Sequence, residues 1–457
     1  MIETSTLEGT LGGSAGDEAS ARMLVLALEC LRPHVTPERF LLGGAVKCVN
    51  IGRGPERIHR LNKTDASLRI DVPDRWMSSG HVTFEWARTH WIVNDNNSKN
   101  GTRVNGVKIE RVAIKDGDLI EVGSTMFIYR DVLITEDQVA ALSRTPRGGP
   151  AAFATLCAPL ETQFDVLRRV ASADVSVMIS GQTGTGKELI ARGIHELSGR
   201  TGAFVALNCG AIAPTLVESE LFGHKKGAFS GATGDKPGLV RASDKGTLFL
   251  DEVAELSEQV QVALLRVLQE KEVRAVGDAH PTTVDLRIIT ATHQDVQALV
   301  DAGKFRADLY ARLAGFAVEL PPLRQRREDL GLLISALLSR LLGSNPDVMR
   351  IHTSAARALF THSWPMNIRE LEQALRVALA VADENEIATA HLPASVRGGA
   401  AKVPEGMTGV DQKARLEELM KKHKGNLSAI ARELSTSRAQ VRRLAKRYDL
   451  EPDSFRE

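Results

Sequence analysis

Cysteine is scarce in this chain: Cys30, Cys48, Cys157 and Cys209 are its only four among 457 residues. None has the spacing of a metal-ligand pair or a redox motif, which argues against a disulfide scaffold and leaves free thiols, as a reducing cytoplasm allows. Long hydrophobic runs are missing too. No stretch approaches the roughly 18 apolar residues that span a bilayer. The short run Met23–Leu31 contains Glu29, follows Arg22 and has no cleavage-site pattern. It reads as the edge of a folded domain, and the chain as soluble, cytoplasmic and without a membrane partner. Net charge is nearly absent: 58 Lys and Arg against 57 Asp and Glu give +1, so any basic surface must be local. There is no internal repeat and no heptad run. What is present is ordinary globular composition, 43% hydrophobic and 25% charged, in a length that suits two to four domains.

Residues 1–23, rich in Gly, Ser, Thr and acid, are expected to be disordered. Residues 24–131 carry short alternating patterns: Asp118–Val122 is one strand, and Thr102–Val104 and Val107–Ile109 flank an Asn105-Gly106 hairpin turn. An all-β domain is expected there. Residues 132–152 contain Ser143–Pro150, which cannot build regular structure, and read as a linker. Residues 153–322 alternate buried-strand candidates (Val175–Ser180, Phe204–Asn208, Leu248–Asp251, Leu286–Ala291) with helices, as nucleotide-binding α/β domains do. Residues 323–396 read as wholly helical, 397–410 as a second linker, and 411–457 as a basic helical tail.

Gly181-Gln182-Thr183-Gly184-Thr185-Gly186-Lys187 has the pattern of a phosphate-binding loop between a strand and a helix. Glycines let backbone N–H groups approach phosphates, the helix N-terminus faces them, and Lys187 reaches the terminal phosphates. The next residue is Glu188, where a Ser or Thr usually touches magnesium. In Leu248-Phe249-Leu250-Asp251-Glu252 an apolar strand delivers Asp251 to organise Mg²⁺ and Glu252 to polarise the attacking water. Alone, each motif has a bland reading, a glycine-rich turn or a solvated acidic strand end. About 60 residues apart in the right order, they imply ATP and Mg²⁺ as cofactors.

Further motifs make the resemblance specific. Asn208-Cys209-Gly210, Glu218–His224, Gly227-Ala228-Phe229-Ser230-Gly231-Ala232, Phe305-Arg306 with Arg312-Leu313, Pro321-Pro322-Leu323-Arg324 and Trp364–Leu371 follow in order over about residues 153–395. Together they resemble the AAA+ motor of sigma-54-dependent transcription activators (bacterial enhancer-binding proteins). The resemblance implies that Phe229, alone on a strip of tiny residues, is a contact finger for sigma-54 RNA polymerase; a Phe tucked into the core is the bland alternative. Ser230 stands where the family usually has Thr. Asn208 matches a switch that links Glu252 to that loop. Thr292 matches a sensor, beside His293 where the family has Asn. Arg306 and Arg312 resemble arginine fingers acting on a neighbouring subunit's ATP, and Arg369 a phosphate sensor in cis. Fingers acting in trans imply a homo-oligomer, by resemblance a hexamer.

In the tail, Leu427, Ile430, Ala431 and Leu434 follow helical spacing, and Ser437-Arg438-Ala439-Gln440 reads as a capping box opening a second helix. That helix exposes Arg438, Gln440, Arg442, Arg443 and Lys446, and from Lys413 to Arg447 eleven Lys and Arg face three Glu. Such local charge is the footprint of DNA binding, and the tail resembles a Fis-type helix-turn-helix for upstream enhancer DNA. At the other end, Gly52-Arg53, Ser78-Ser79-Gly80-His81 and Asp95–Thr102 resemble a forkhead-associated domain, a β-sandwich that reads phosphothreonine. Arg53 and Ser78 can donate to a phosphate and Asn100 to the peptide backbone; Ser79 replaces a frequent Arg, and His81 is a buttress in that family.

The expected protein is therefore an all-β sandwich, an α/β AAA+ domain with a helical lid, and an all-α DNA-binding tail. It is expected to hydrolyse ATP and remodel sigma-54 polymerase under control of a phosphothreonine-bearing partner. Two alternatives stay open: a DNA-bound AAA+ regulator that does not contact sigma-54, and a phosphopeptide adaptor with an inactive motor. Residues 227–232 speak against the first and the intact Lys187, Asp251, Glu252, Arg306 and Arg312 against the second.

Overall fold

Strands at the front of the chain come first from turn chemistry. Asn105 and Gly106 both take positive φ, +51° and +83°, the left-handed pair that a tight hairpin between β8 (Thr102–Val104) and β9 (Val107–Ile109) requires. A computed structural model describes residues 18–43, 46–135, 150–228, 232–343, 349–382 and 385–397, with a few isolated positions beyond. Two compact units emerge: residues 1–20, 132–329 and 365–370 form one, and 21–131, 330–364 and 371–457 the other.

The second unit holds a β-sandwich. One sheet runs β2 (Glu38–Leu41), β1 (Glu18–Glu29), β12 (Thr125–Thr135), β11 (Leu119–Val122), β8, β9. The other runs β10 (Arg111–Ala113), β7 (His90–Asp95), β6 (Val82–Ala87), β3 (Cys48–Arg53), β5 (Ser67–Val72), β4 (Ile58–Asn62). Leu26, Val49, Ile51, Ile70, Phe84, Trp91, Val93 and Phe127 meet between them in one core. Two expected boundaries move. β1 begins at Glu18, inside the segment expected to be disordered, and β12 runs to Thr135, inside the expected linker. Both ends are extended because a paired strand satisfies its backbone groups wherever a neighbour continues.

Of the lid, expected as a helical subdomain over 323–396, residues 330–364 and 371 onward share this unit. Its first helix is Leu330–Leu342, its second Thr353–Thr361 and its third Asn367–Val381. It is not wholly helical: the two-residue strands Arg350–Ile351 and Glu386–Ile387 pair in parallel.

In the first unit, five strands make a parallel sheet in the order β14 (Phe204–Asn208), β15 (Thr247–Asp251), Arg287–Thr292, β13 (Val177–Gly181), Phe316–Leu320. The four expected strands are present, and Phe316–Leu320 is an additional edge. Both faces are covered, as parallel sheets require. In β15, Leu248 and Leu250 pack with Leu221, Val240 and Leu264 on one side, and Phe249 packs with Phe164, Ile190 and Ile289 on the other. The carboxyl ends of β13, β15 and Arg287–Thr292 therefore open along one edge, where ligands bind in such sheets.

Candidate functional site

The loop after β13 is shaped by backbone that only glycine adopts easily. Gly181, Gly184 and Gly186 have φ of +146°, +79° and +102°. A Cβ on Gly184 would lie 2.3 Å from the Met366 carbonyl, and one on Gly181 2.8 Å from that of Leu320. Gly186 then caps the helix Lys187–Leu197. Lys187 is 7% exposed; its Nζ donates to the Gly181 carbonyl at 2.9 Å and lies 3.8 Å from Glu252 Oε1. Burial lowers its pKa from the usual lysine value, against the pull of Glu252 and Asp251. Thr185 is buried, its hydroxyl donating to the Gln182 carbonyl at 2.8 Å. Glu188 is turned to solvent and paired with Arg192 at 2.7 Å, so its carboxylate does not take the place of the missing hydroxyl.

β15 delivers the acids. Asp251 accepts from the Glu252 N–H at 3.1 Å and from Asn208 Nδ2 at 3.4 Å. Its pKa is raised by burial and then by the Glu252 charge beside it. Glu252 takes φ +55°, uncommon for a residue with a side chain and concentrated at functional sites. Glu252 Oε2 lies 2.6 Å from His293 Nδ1 and accepts the His293 N–H at 3.3 Å; facing an ionised carboxylate, Nδ1 carries the proton. Asn208 Oδ1 accepts from Gly210 and Ala211 N–H at 3.0 and 3.1 Å. Its amide thus points at Asp251, and the expected partner Glu252 is engaged by His293 instead. Thr292 is fully buried, with its hydroxyl accepting the Gln294 N–H.

At the front, Gly52 is pressed against the loop bearing Ser79: a Cβ there would lie 2.0 Å from the Ser79 carbonyl. Arg53 is exposed, with its N–H on the Ser78 carbonyl at 2.9 Å. Ser78 Oγ accepts the Lys99 N–H at 3.2 Å, and Asn100 Nδ2 donates to the Trp76 carbonyl at 2.7 Å. Ser79 is exposed. His81 is fully buried and accepts the Ser78 N–H on Nδ1 at 3.0 Å, so Nε2 is the donor to the Gly101 carbonyl at 3.4 Å. Burial lowers its pKa. Arg53, Ser78, Ser79 and Asn100 accordingly sit on one edge of the sandwich, with His81 beneath.

Three family models match: "Sigma-54 interaction domain" over residues 155–319, "AAA+ ATPase lid domain" over 324–407 and "FHA domain" over 49–123. The centre of this chain is a sigma-54 interaction domain of the AAA+ ATPase class. Similar curated proteins include the hydrogenase transcriptional regulatory protein HoxA of Bradyrhizobium diazoefficiens, 42% identical over 307 residues, covering 64% of this chain and 63% of that one. The response regulator protein PilR of Pseudomonas aeruginosa is 44% identical over 264 residues, covering 57% and 59%. The chain thus spans less than two thirds of these relatives' length. Among solved structures, NtrX from Brucella abortus in complex with ATP is similar at a TM-score of 0.48 and 30% identity, covering 69% of this chain and 72% of that one.

Within the AAA+ domain, Arg306 is held by Asp308 through two bonds of 3.0 and 2.7 Å. Arg312 is exposed and has no side-chain partner among the described residues. Arg369 is exposed; its Cβ would meet a Cβ on Gly184 at 3.1 Å, and its charge helps lower the Lys187 pKa. Gly227 and Ala228 are described and Ala232 is buried, whereas Phe229, Ser230 and Gly231 lie outside the described residues. So do Arg438, Gln440, Arg442, Arg443 and Lys446. No helix among the described residues is long and apolar enough to cross a membrane.

Sequence reasoning passed over three residues that hold the phosphate loop from behind. Asn367, fully buried at φ +55°, accepts the Leu323 N–H at 2.8 Å and donates to the Thr183 carbonyl at 3.0 Å. Arg326, 6% exposed, donates to the Thr185 carbonyl at 2.7 Å. Arg324 donates to Gln182 Oε1 at 3.0 Å. Asn367 and Arg324 lay inside quoted motifs, so the signal was present. What it lacked was a partner.

Proposed function

We propose that this protein is an ATP-hydrolysing transcription activator that binds upstream DNA and drives sigma-54 RNA polymerase to the open complex, under control of a phosphothreonine-reading domain. The observation that carries the reading is the convergence of Lys187, Asp251, Glu252 and His293 at one sheet edge, on a loop clamped by Arg326 and Asn367. The sigma-54 interaction match over 155–319 favours it over a regulator that ignores sigma-54.

Lys187 and the N–H groups of the glycine loop bind and orient the phosphates. Two neighbouring carboxylates stand against one buried ammonium, and burial first, then the Glu252 charge, raises the Asp251 pKa. That suits a divalent cation. Asp251 would hold Mg²⁺ with ATP, and the ion when bound neutralises phosphate charge. Glu252 orients the attacking water, and His293 fixes the carboxylate's rotamer. Arg312, exposed and without a side-chain partner among the described residues, is the finger better placed to reach a neighbour's ATP; Arg306 must first leave Asp308. Glu188 has no place in this scheme. A homo-oligomeric ring, Phe229 as the polymerase contact, and Arg438, Gln440, Arg442, Arg443 and Lys446 on enhancer DNA complete the proposal. At the sandwich edge, Arg53 and Ser78 grip phosphate and Asn100 the peptide backbone.

The test is transcription in vitro from a sigma-54 promoter with purified polymerase. The full-length protein with ATP should give open complexes, and Lys187→Ala should not. Open complexes formed equally well by Lys187→Ala would refute the motor assignment.

A further inference from the structure

An antiparallel sheet at a protein surface is expected to be apolar on one face and polar on the other. In one sheet of the FHA sandwich, stretches of three neighbouring strands are apolar on both. Leu24 and Leu26 of β1, Ile120 and Val122 of β11, and Phe127 and Tyr129 of β12 belong to the sandwich core. Alternation puts their neighbours on the opposite face. There Met23, Val25, Ala27, Leu119, Met126 and Ile128 are each 0–1% exposed.

The covering element is the AAA+ lid. In the first lid helix, Gly331 meets the sheet so closely that a Cβ would fall 1.6 Å from the Ala27 carbonyl. Four residues on, Ser335 Oγ donates to the His34 carbonyl at 2.7 Å. The Ile351 N–H donates to the Cys30 carbonyl at 2.8 Å. The second lid helix supplies Arg357, whose Nε and Nη2 each lie 2.6 Å from a carboxylate oxygen of Glu121. Glu121 is 4% exposed and sits opposite Met126 on that outer face. On the β8 side Glu121 stands in register with Arg103, but its carboxylate takes its two hydrogen bonds from the Arg357 guanidinium of the lid, and a buried carboxylate that loses such bonds is destabilised.

The same contact reaches the peptide-reading edge. Trp76, Asn100 and Gly101 form one wall of a cavity of about 520 Å³, and His352, Thr353 and Arg357 of the lid form another. Asn100, the residue read as holding a peptide backbone, thus lines the same cavity as the lid residues.

We propose that the FHA domain is docked on the ATPase lid through Glu121–Arg357 and the Gly331–Ala27 contact, and that this docking competes with a phosphothreonine peptide for the cleft beside Asn100. The proposal rests on the phosphopeptide reading given above. It makes the lid, an element of the motor, the domain that a phosphorylated partner displaces.

Two variants of the full chain test it by different physics. Arg357→Ala removes both lid hydrogen bonds to the buried Glu121 carboxylate in the docked state. Gly331→Ala raises the helix propensity of the lid yet drives a methyl into the Ala27 carbonyl, so it undocks without weakening the helix. The probe is a phosphothreonine peptide pool degenerate at its flanking positions, with its unphosphorylated counterpart. Apparent affinity scales with the fraction of chain that is competent to bind, so both variants should bind the phosphorylated pool about fivefold more tightly or better. Hydrogen exchange at Ile351 should quicken in both variants, and in the parent when peptide is added. Peptide affinity equal to the parent's in both variants, or unchanged exchange at Ile351, would overturn the docking competition. Absence of phosphate-dependent binding in every form would instead overturn the phosphopeptide reading, and this coupling with it.

Discussion

Replacing Glu252 by Gln changes one charge and almost no volume, and the surroundings of that carboxylate set the outcome. Its Oε2 accepts from His293 Nδ1 at 2.6 Å, and its Oε1 lies 3.8 Å from Lys187 Nζ. An amide oxygen can still accept from His293, so the rotamer and the φ of +55° should survive. Lys187 loses a competing anion and the γ-phosphate loses a like charge, so ATP affinity should be equal or higher. Water activation is what disappears. Positioned general-base catalysis contributes about 10²–10⁴-fold, which is roughly 3–5 kcal/mol of barrier. Nucleotide binding followed with a fluorescent ATP analogue, beside single-turnover hydrolysis of labelled ATP, separates the two effects. Turnover close to the parent's in Glu252→Gln would refute the role. Loss of binding would show that the carboxylate is structural.

Four other outcomes can be checked. Phe229→Ala should keep ATP hydrolysis while abolishing open-complex formation; a parallel fall in both, measured by phosphate release and promoter melting, would mean that Phe229 belongs to the core. Arg442→Ala should weaken enhancer binding and lower the salt slope by about one unit if Arg442 contacts phosphate, read by titrating DNA at several salt concentrations. Arg53→Ala should weaken phosphothreonine peptide binding about tenfold or more, since charge-assisted bonds contribute roughly 1.5–3 kcal/mol each; calorimetry with phosphorylated and plain peptides decides it. His81 is buried with a lowered pKa, so the unfolded chain takes up its proton first as pH falls. Its contribution to stability is whole above the ordinary value of 6.5 and is lost as pH drops through the folded pKa, which His81→Gln should remove from the pH dependence of denaturant midpoints.

How much of this was legible depends on how local each feature is. The phosphate loop, the acidic strand end and the Asn105-Gly106 hairpin rest on residues adjacent in sequence whose chemistry names their conformation, and all three are where the motifs put them. Asn208 was assigned a link to Glu252, but its side chain caps its own turn and reaches Asp251, while His293 takes the glutamate. Two acids adjacent in sequence leave strand β15 in different directions, and spacing alone does not say which neighbour each meets. Arg326 and Asn367 grip the phosphate loop from 141 and 184 residues away. Their partners are backbone carbonyls, which carry no side-chain signature in a sequence.

The run from Met23 to Leu28 shows how a sequence feature can be noticed and still be under-read. Taken as the edge of a folded domain, it explains why the run is too short for a membrane. It does not explain why alternation fails. A strand with one wet face alternates, and a strand apolar at consecutive positions needs partners on both sides. Met126-Phe127-Ile128 repeats the signal in β12, and Leu119-Ile120 in β11, where Glu121 follows as the charge that Arg357 meets. Three neighbouring strands with the same defect in alternation predict a covered sheet before any coordinates are seen. The consequence bears on any experiment that isolates the front of the chain. A fragment of residues 24–130 cuts into β1 and β12 and strips the lid from Ala27, Cys30 and Glu121. Peptide affinities measured on such a fragment report a sandwich already released from the lid. If docking competes with peptide, they should exceed the affinity of the full chain, and that difference measures how firmly the lid is held.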